Sequence, residues 1–301
     1  MDLLDPLRRW FPGPGPGRAG DPGLFSPGSI ARRVNAESAL LLGGGRALLL
    51  QLAHPLVAAG VADHSDFRSD PFGRLVNTLN LTLTVAFGDH SQRRAAAARV
   101  AQTHRRVVGE RNGSPYRALD PELLLWVHAT LVDSAIVTYE RFVGPLGPIA
   151  RERYHDEMKR QGAAFGVTDD RFHPTYDAFR RSVDETVASL VVTDEARELG
   201  RAVLHPPAPP TLRPFAPAMR LITTGLLPEP VREGYGLAWG PRDDRLLAIV
   251  AGTIRPTLPF LPDALRRWPH ARDADRRLAD PGSRRRAADP TYGSSSALGP
   301  S

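Results

Sequence analysis

The run from Ala39 to Ala62, ALLLGGGRALLLQLAHPLVAAGVA, constrains this chain more than any other stretch. It is long enough to span a membrane, yet it holds three adjacent glycines, Arg46, Gln51, His54 and Pro55. Gln51 and His54 fall near its middle, where polar groups cost most in a bilayer. The segment is therefore expected inside a protein core, as a Gly-broken helical stretch and not as a stable membrane span. Followed to Thr78, the region adds His64 and an Arg74-x-x-Asn77-Thr78 cluster, whose i, i+3, i+4 spacing puts three polar groups on one helical face. Apolar helices rarely carry so many polar groups unless something sits against them. The stretch reads as one wall of a buried cofactor pocket.

The rest of the chain repeats a helical pattern. Asp120-Pro121-Glu122 and Asp70-Pro71 place a capping carboxylate before a proline suited to a first turn. Ser91 and Thr193 open further helices, and others fit 148–165, 174–188, 213–226 and 241–255. Leu190–Thr193 is the best strand candidate and is too short. The fold class expected is all-α, one multi-helix domain over 29–269. Residues 1–28, rich in Pro and Gly, are expected to form a flexible arm, and residues from 270 onward a disordered Arg/Ser-rich tail.

Composition excludes several functions. The chain has 301 residues, 42% of them apolar, enough for a sizeable core. It has no cysteine, which removes disulfides, thiolate nucleophiles and iron–sulfur clusters. The net charge of +6 comes almost wholly from arginines spread along the predicted helices, Lys159 being the only lysine. The single dense basic run, Arg284–Arg286, lies in the tail, so no nucleic-acid partner is expected. The N-terminal residues MDLLDPLRRWFPGPGPG do not read as a secretory signal, which favours a cytoplasmic location.

Three histidines lie on apolar stripes. His104 follows Ala97 and Val100, His128 sits between Leu124 and Leu131, and His54 shares a face with Leu50 and Val57. A buried imidazole left without a hydrogen bond costs roughly 1–3 kcal/mol. Each is either a core histidine bonded to a carbonyl or carboxylate, or an axial ligand of haem iron set in a helical bundle. Glu152-x-x-His155 lacks the second such pair that a di-iron bundle needs. His64 with Asp63, Asp66 and Asp70 fits no metal rule, and no Gly-x-Ser-x-Gly elbow is present.

The segments RALLLQLAHPLVAAGVADHSDFRSDPFGRLVNT, AQTHRRVVG and LLLWVHATLVDSAIVTYERFVGPL resemble the haem oxygenase family of the latex-clearing rubber oxygenases and MpaB, over about residues 30–265. The resemblance implies an all-helical domain around haem b, with a histidine on the iron and dioxygen on the open side. It implies an oxidoreductase acting on a small lipophilic substrate, isoprenoids included, by oxidative cleavage of a carbon–carbon double bond. The distal motif falls on Arg74, Asn77 and Thr78. The iron ligand falls best on His104, with His128 as fallback and His54 as a further cofactor contact, and Leu50, Val57, Leu79 and Leu83 are expected as apolar walls. Asn77 replaces the lysine that can cap the iron in rubber oxygenases, so a lysine-capped state is not expected here. The non-enzymatic alternative is a helical scaffold that binds haem or lipid without turnover.

Overall fold

Residues 5–64, 71–206 and 213–279 are described by a computed structural model, without the side chains of Pro71, Phe72 and Arg74. The expected cap at Asp70, and Asp66, lie outside the described residues. The protein is all-α, with one two-stranded hairpin as its only sheet among the described residues.

The longest helix, α7 (Pro121–Phe142), is the axis of the fold. It begins as the sequence predicts, with Pro121 in the first turn and the Asp120 carboxylate accepting from Glu122 N at 2.9 Å. Trp126, Val132, Ile136 and Phe142 are buried along it, each contributing about 1.5–3 kcal/mol of apolar burial. Around it pack a 3-10 turn at Ser38–Gly43 and the helices α2 (Ile30–Asn35), α3 (Gly44–Ala53), α8 (Pro148–Ala164), α9 (Tyr176–Ser189) and α13 (Pro241–Thr257). The glycine triplet permits this. A Cβ on Gly43 would lie 2.0 Å from Thr138 Oγ1 of α7, and one on Gly45 2.3 Å from Thr223 Oγ1 of α11 (Ala216–Leu226).

The apolar run does not form one helix. Pro55 disfavours helical backbone at His54, which turns extended (ψ 120°), and the chain leaves in α4 (Pro55–His64), bent 102° from the preceding segment. Among the described residues no single helix is long and apolar enough to cross a membrane. Next comes an antiparallel pair, α5 (Pro71–Phe87) and α6 (His90–His104), joined by Gly88 and Asp89. Asp89, not Ser91, caps α6, in a reciprocal box with Gln92.

Two short strands, β1 (Val108–Arg111) and β2 (Ser114–Arg117), pair around Asn112-Gly113, both with positive φ. That dipeptide is a hairpin signal in its own right. The remaining helices are α10 (Asp194–Leu204), capped by Thr193 as expected, the short α12 (Glu229–Gly234) and α14 (Asp263–Arg266), and α15 (Pro269–Ala279).

Both ends of the domain extend beyond the expected boundaries. The arm is not loose: after α1 (Pro6–Trp10), Phe11 packs edge-on to Trp268 at 4.9 Å and Phe25 is fully buried. Its Pro/Gly composition supplies turns, five of them at positive-φ glycines, while its few apolar and charged residues anchor it. Residues 269–279 are helical, because Arg272 and Arg277 are not free surface charges. Arg272 pairs with Asp5 at 2.6 Å, and Arg277 donates to the carbonyls of Phe87 and Asp21.

Candidate active site

The α5–α6 pair brings the predicted residues to one end of the fold. From Phe87 back to Arg74 the helix rises about 20 Å, and from His90 forward to His104 about 21 Å. With a two-residue connection, Arg74 and His104 therefore lie at nearly the same level, at the open end of an antiparallel hairpin. Asn77 and Thr78 follow within a turn and are exposed. The closed end is held tightly. A Cβ on Gly88 would meet Thr84 O at 2.5 Å, and Arg18 N and His90 N donate to Asp89 and Asp21 at 2.7 and 2.8 Å.

Burial along the hairpin is uneven. At the closed end Leu83, Val85, Ala86 and Phe87 are in the core. Toward the open end the equally apolar Leu75, Val76 and Leu79 are only half-buried. On α6 Ala97, Val100 and His104 line up as expected but are only half-buried, and Ala96 is the helix's only buried residue; past its end Val107 is half-buried, while Val108 starts β1 and is 50% exposed. His104 thus borders the core without entering it. One turn beyond, α4 comes so close that a Cβ on Gly60 would lie 3.3 Å from Val107 Cγ1. Of the expected walls, Leu50 and Leu83 are spent in the core, and Val57 and Leu79 are half-buried against it.

His128 is elsewhere. It is buried on α7 against α8, its Nε2 3.0 Å from where a Cβ on Gly162 would sit, its ring edge-on to Phe172 at 5.7 Å. Burial, with His155 adding to it, pushes His128 down to about 4, so it is neutral. His155 stacks on Phe179 at 5.0 Å and bonds the His173 carbonyl at 3.0 Å, and burial lowers it too.

His54 faces a third place. At the α3–α4 elbow its ring lines a cavity of about 140 Å³ with the α7 stripe Glu122, Leu125, Trp126 and Ala129, and with His173 and residues of α9. Burial lowers His54, with Asp120 pulling the other way. The three histidines do not converge on one site, and no group of three metal-ligating side chains occurs among the described residues.

Sequence reasoning missed a buried charge cluster. Arg46, read only as an obstacle to membrane insertion, donates to Leu226 O and Ser134 Oγ, both at 2.7 Å, and to Asp133 Oδ2 at 2.5 Å. Arg180 from α9 binds the other oxygen of Asp133. The signal was a charge inside each of two apolar helices, because such charges survive burial only in pairs.

An all-helical domain with this layout matches the catalytic-domain model described as "ER-bound oxygenase mpaB/B'/Rubber oxygenase" over residues 31–256, and the chain belongs to that oxygenase family. It is 29% identical, over 219 residues, to uncharacterized proteins of Mycobacterium tuberculosis and Mycobacterium bovis, covering 69% of this chain and 84% of each relative. No solved structure matches it.

Proposed function

We propose that this chain is a haem b-dependent oxygenase acting on a small lipophilic substrate, with His104 the iron ligand and Arg74, Asn77 and Thr78 on the dioxygen side. The observation that carries this reading is the α5–α6 hairpin, which puts the helical turn bearing Arg74, Asn77 and Thr78 level with His104. The half-buried apolar residues of that end, Leu75, Val76 and Leu79, suit the face of a flat apolar macrocycle. The other two histidines fit poorly. Gly162 and Phe172 fill the space beside the His128 ring. The cavity at His54, about 140 Å³, is near the size that holds one benzene and well below the roughly 300–1,000 Å³ of ordinary cofactor sites.

Haem b, when bound, supplies the iron at which dioxygen is activated. The chain's own part is positioning and electrostatics. The Thr78 hydroxyl and Asn77 amide would serve as compact hydrogen-bond donors on the side of the pocket where dioxygen enters. An arginine one turn earlier stabilises negative charge developing there, the kind of preorganised interaction that contributes most to many reactions. The apolar helix face excludes water and aligns an alkene.

The test is the absorption spectrum of full-length protein expressed with ample haem, with and without dithionite. A Soret band is expected in the wild type and lost in His104→Ala, with His128→Ala retaining it. A colourless wild type, or a band unchanged in His104→Ala, overturns the assignment. A haem-loaded protein that consumes no oxygen with any alkene supports the scaffold reading instead.

A further inference from the structure

The outer face of α13 carries a feature that the reaction does not use. Leu247, Ala251 and Leu258 turn inward and are buried. On the opposite side Ile249 is 64% exposed, with Leu246 at its edge. The helix runs directly into a 3-10 turn, Leu258–Phe260, where Phe260 is 87% exposed and Leu261 follows it outward. Pro256, Pro259 and Pro262 bracket this tip, and each fixes its own φ, which limits the backbone freedom of the turn that carries Phe260.

The charges on this helix are sorted by side. Asp243 and Asp244 are consumed at its first turn, accepting from Gly240 N at 3.0 Å and Trp239 Nε1 at 2.8 Å. Arg242 and Arg245 share the outward face with Ile249, and Arg255 lies on its flank. All three are exposed and none meets a carboxylate among the described residues, Arg245 bonding only the Pro241 carbonyl. A bulky apolar stripe between unpaired arginines is the pattern of a helix that lies in a lipid–water interface, where the apolar groups enter the acyl boundary and the arginines meet anionic headgroups.

We infer that α13 and the Phe260 tip form a peripheral docking face for an anionic lipid bilayer surface. The face would hold the protein at the phase into which lipophilic molecules partition, and it does so whether or not haem is bound.

The experiment is flotation of the full-length protein with vesicles of equimolar phosphatidylcholine and phosphatidylglycerol, against vesicles of phosphatidylcholine alone. The wild type is expected to float with the anionic vesicles and to be released by high salt. Ile249→Ser with Phe260→Ser is expected to lower the partition coefficient by about tenfold or more. Arg242→Gln, Arg245→Gln and Arg255→Gln together should lower it on anionic vesicles by about fivefold per charge. These side chains are exposed, so circular dichroism and melting temperature should not change. Failure to bind anionic vesicles, or binding that ignores both sets of substitutions, overturns the inference. So does a wild type that is dimeric by light scattering and becomes monomeric in Ile249→Ser with Phe260→Ser, which would give the face to a second copy of the chain.

Discussion

Arg46 Nη2 lies 2.5 Å from Asp133 Oδ2, with the two side chains 3% and 1% exposed, so a charge pair joins α3 to α7 in the deepest part of the fold. Arg180 engages the second carboxylate oxygen from α9, and the hydroxyl of Ser134 and the Leu226 carbonyl occupy two more donors of Arg46. Removing one partner strands the other without water. Asp133→Ala is therefore expected to destabilise the protein by about 3–5 kcal/mol, measured by urea unfolding. Replacing the pair with apolar residues, Arg46→Met with Asp133→Leu, should recover much of that loss. A single Asp133→Ala cost under about 1 kcal/mol would contradict this account of the pair.

The N-terminal arm predicts a second effect. Phe25 is fully buried, and next to it Leu24 N donates to Ala86 O at the base of the α5–α6 turn. Phe25→Ala should cost about 3–5 kcal/mol, and deleting residues 1–28 should cost more, because Asp21 and Arg18 also leave the turn. Unfolding midpoints of the two variants check this. An arm that is dispensable for stability would show no shift in either.

Acid should weaken the fold in a defined window. His128 and His270 are buried, and each is pushed down to about 4, chiefly by that burial. In the unfolded chain both return to about 6.5. Between these values the unfolded state binds protons that the folded state refuses, so stability is complete above about pH 6.5 and falls as pH drops toward 4. Each group accounts for roughly 3 kcal/mol across the window. Unfolding midpoints measured through it should decline, and His270→Leu should flatten the decline. A midpoint independent of pH there would mean that neither imidazole is desolvated.

The legible parts of this chain were those whose physics is local. Asp120-Pro121 capped α7 and Thr193 capped α10, because a side-chain oxygen three or fewer residues from a free N–H needs nothing distant. The helix that carries His104 was also legible, though Asp89 caps it where Ser91 was expected, and its antiparallel pairing with α5 was not read from the sequence. The illegible parts depended on what lay far off in sequence. Nothing near Phe11 announces Trp268, and nothing near Arg277 announces the Phe87 carbonyl, so a composition rich in Pro and Gly at one end and in Arg at the other read as disorder. The same limit applies to His128: periodicity placed it on the buried face, but Gly162, which fills the space at its Nε2, comes from another helix.

Gly88 ties the fold to the proposed site. The two-residue link sets the level of α6 against α5, and an added Cβ would stand 2.5 Å from Thr84 O, a backbone atom that cannot swing aside. Gly88→Ala must therefore displace the start of α6, with about 1–3 kcal/mol of overpacking strain. Because helices are stiff, a shift at the closed end carries through to His104. Haem retention is expected to fall in Gly88→Ala by more than the stability loss explains, whereas Gly113→Ala, which strains the β-hairpin turn instead (φ +77°), should destabilise without that excess. Equal haem loss in both would detach the hairpin's geometry from cofactor binding.

Asn77 offers the sharpest test of the proposal that α5 lines the open side of a haem iron. It is exposed on the helix level with His104, one turn after Arg74, and in the proposed assignment it takes the place of a lysine that would be able to cap the metal. Asparagine is too short and too weak a donor of electrons to do so. In haem-loaded protein, Asn77→Lys should supply an amine at that position and shift the visible spectrum toward a six-coordinate form, increasingly as the pH rises and the ammonium loses its proton. Asn77→Leu, of similar bulk but without a donor, should leave the coordination unchanged. If Asn77→Lys changes nothing across the pH range while His104→Ala still abolishes the Soret band, then His104 holds the iron and the open side lies on another helix.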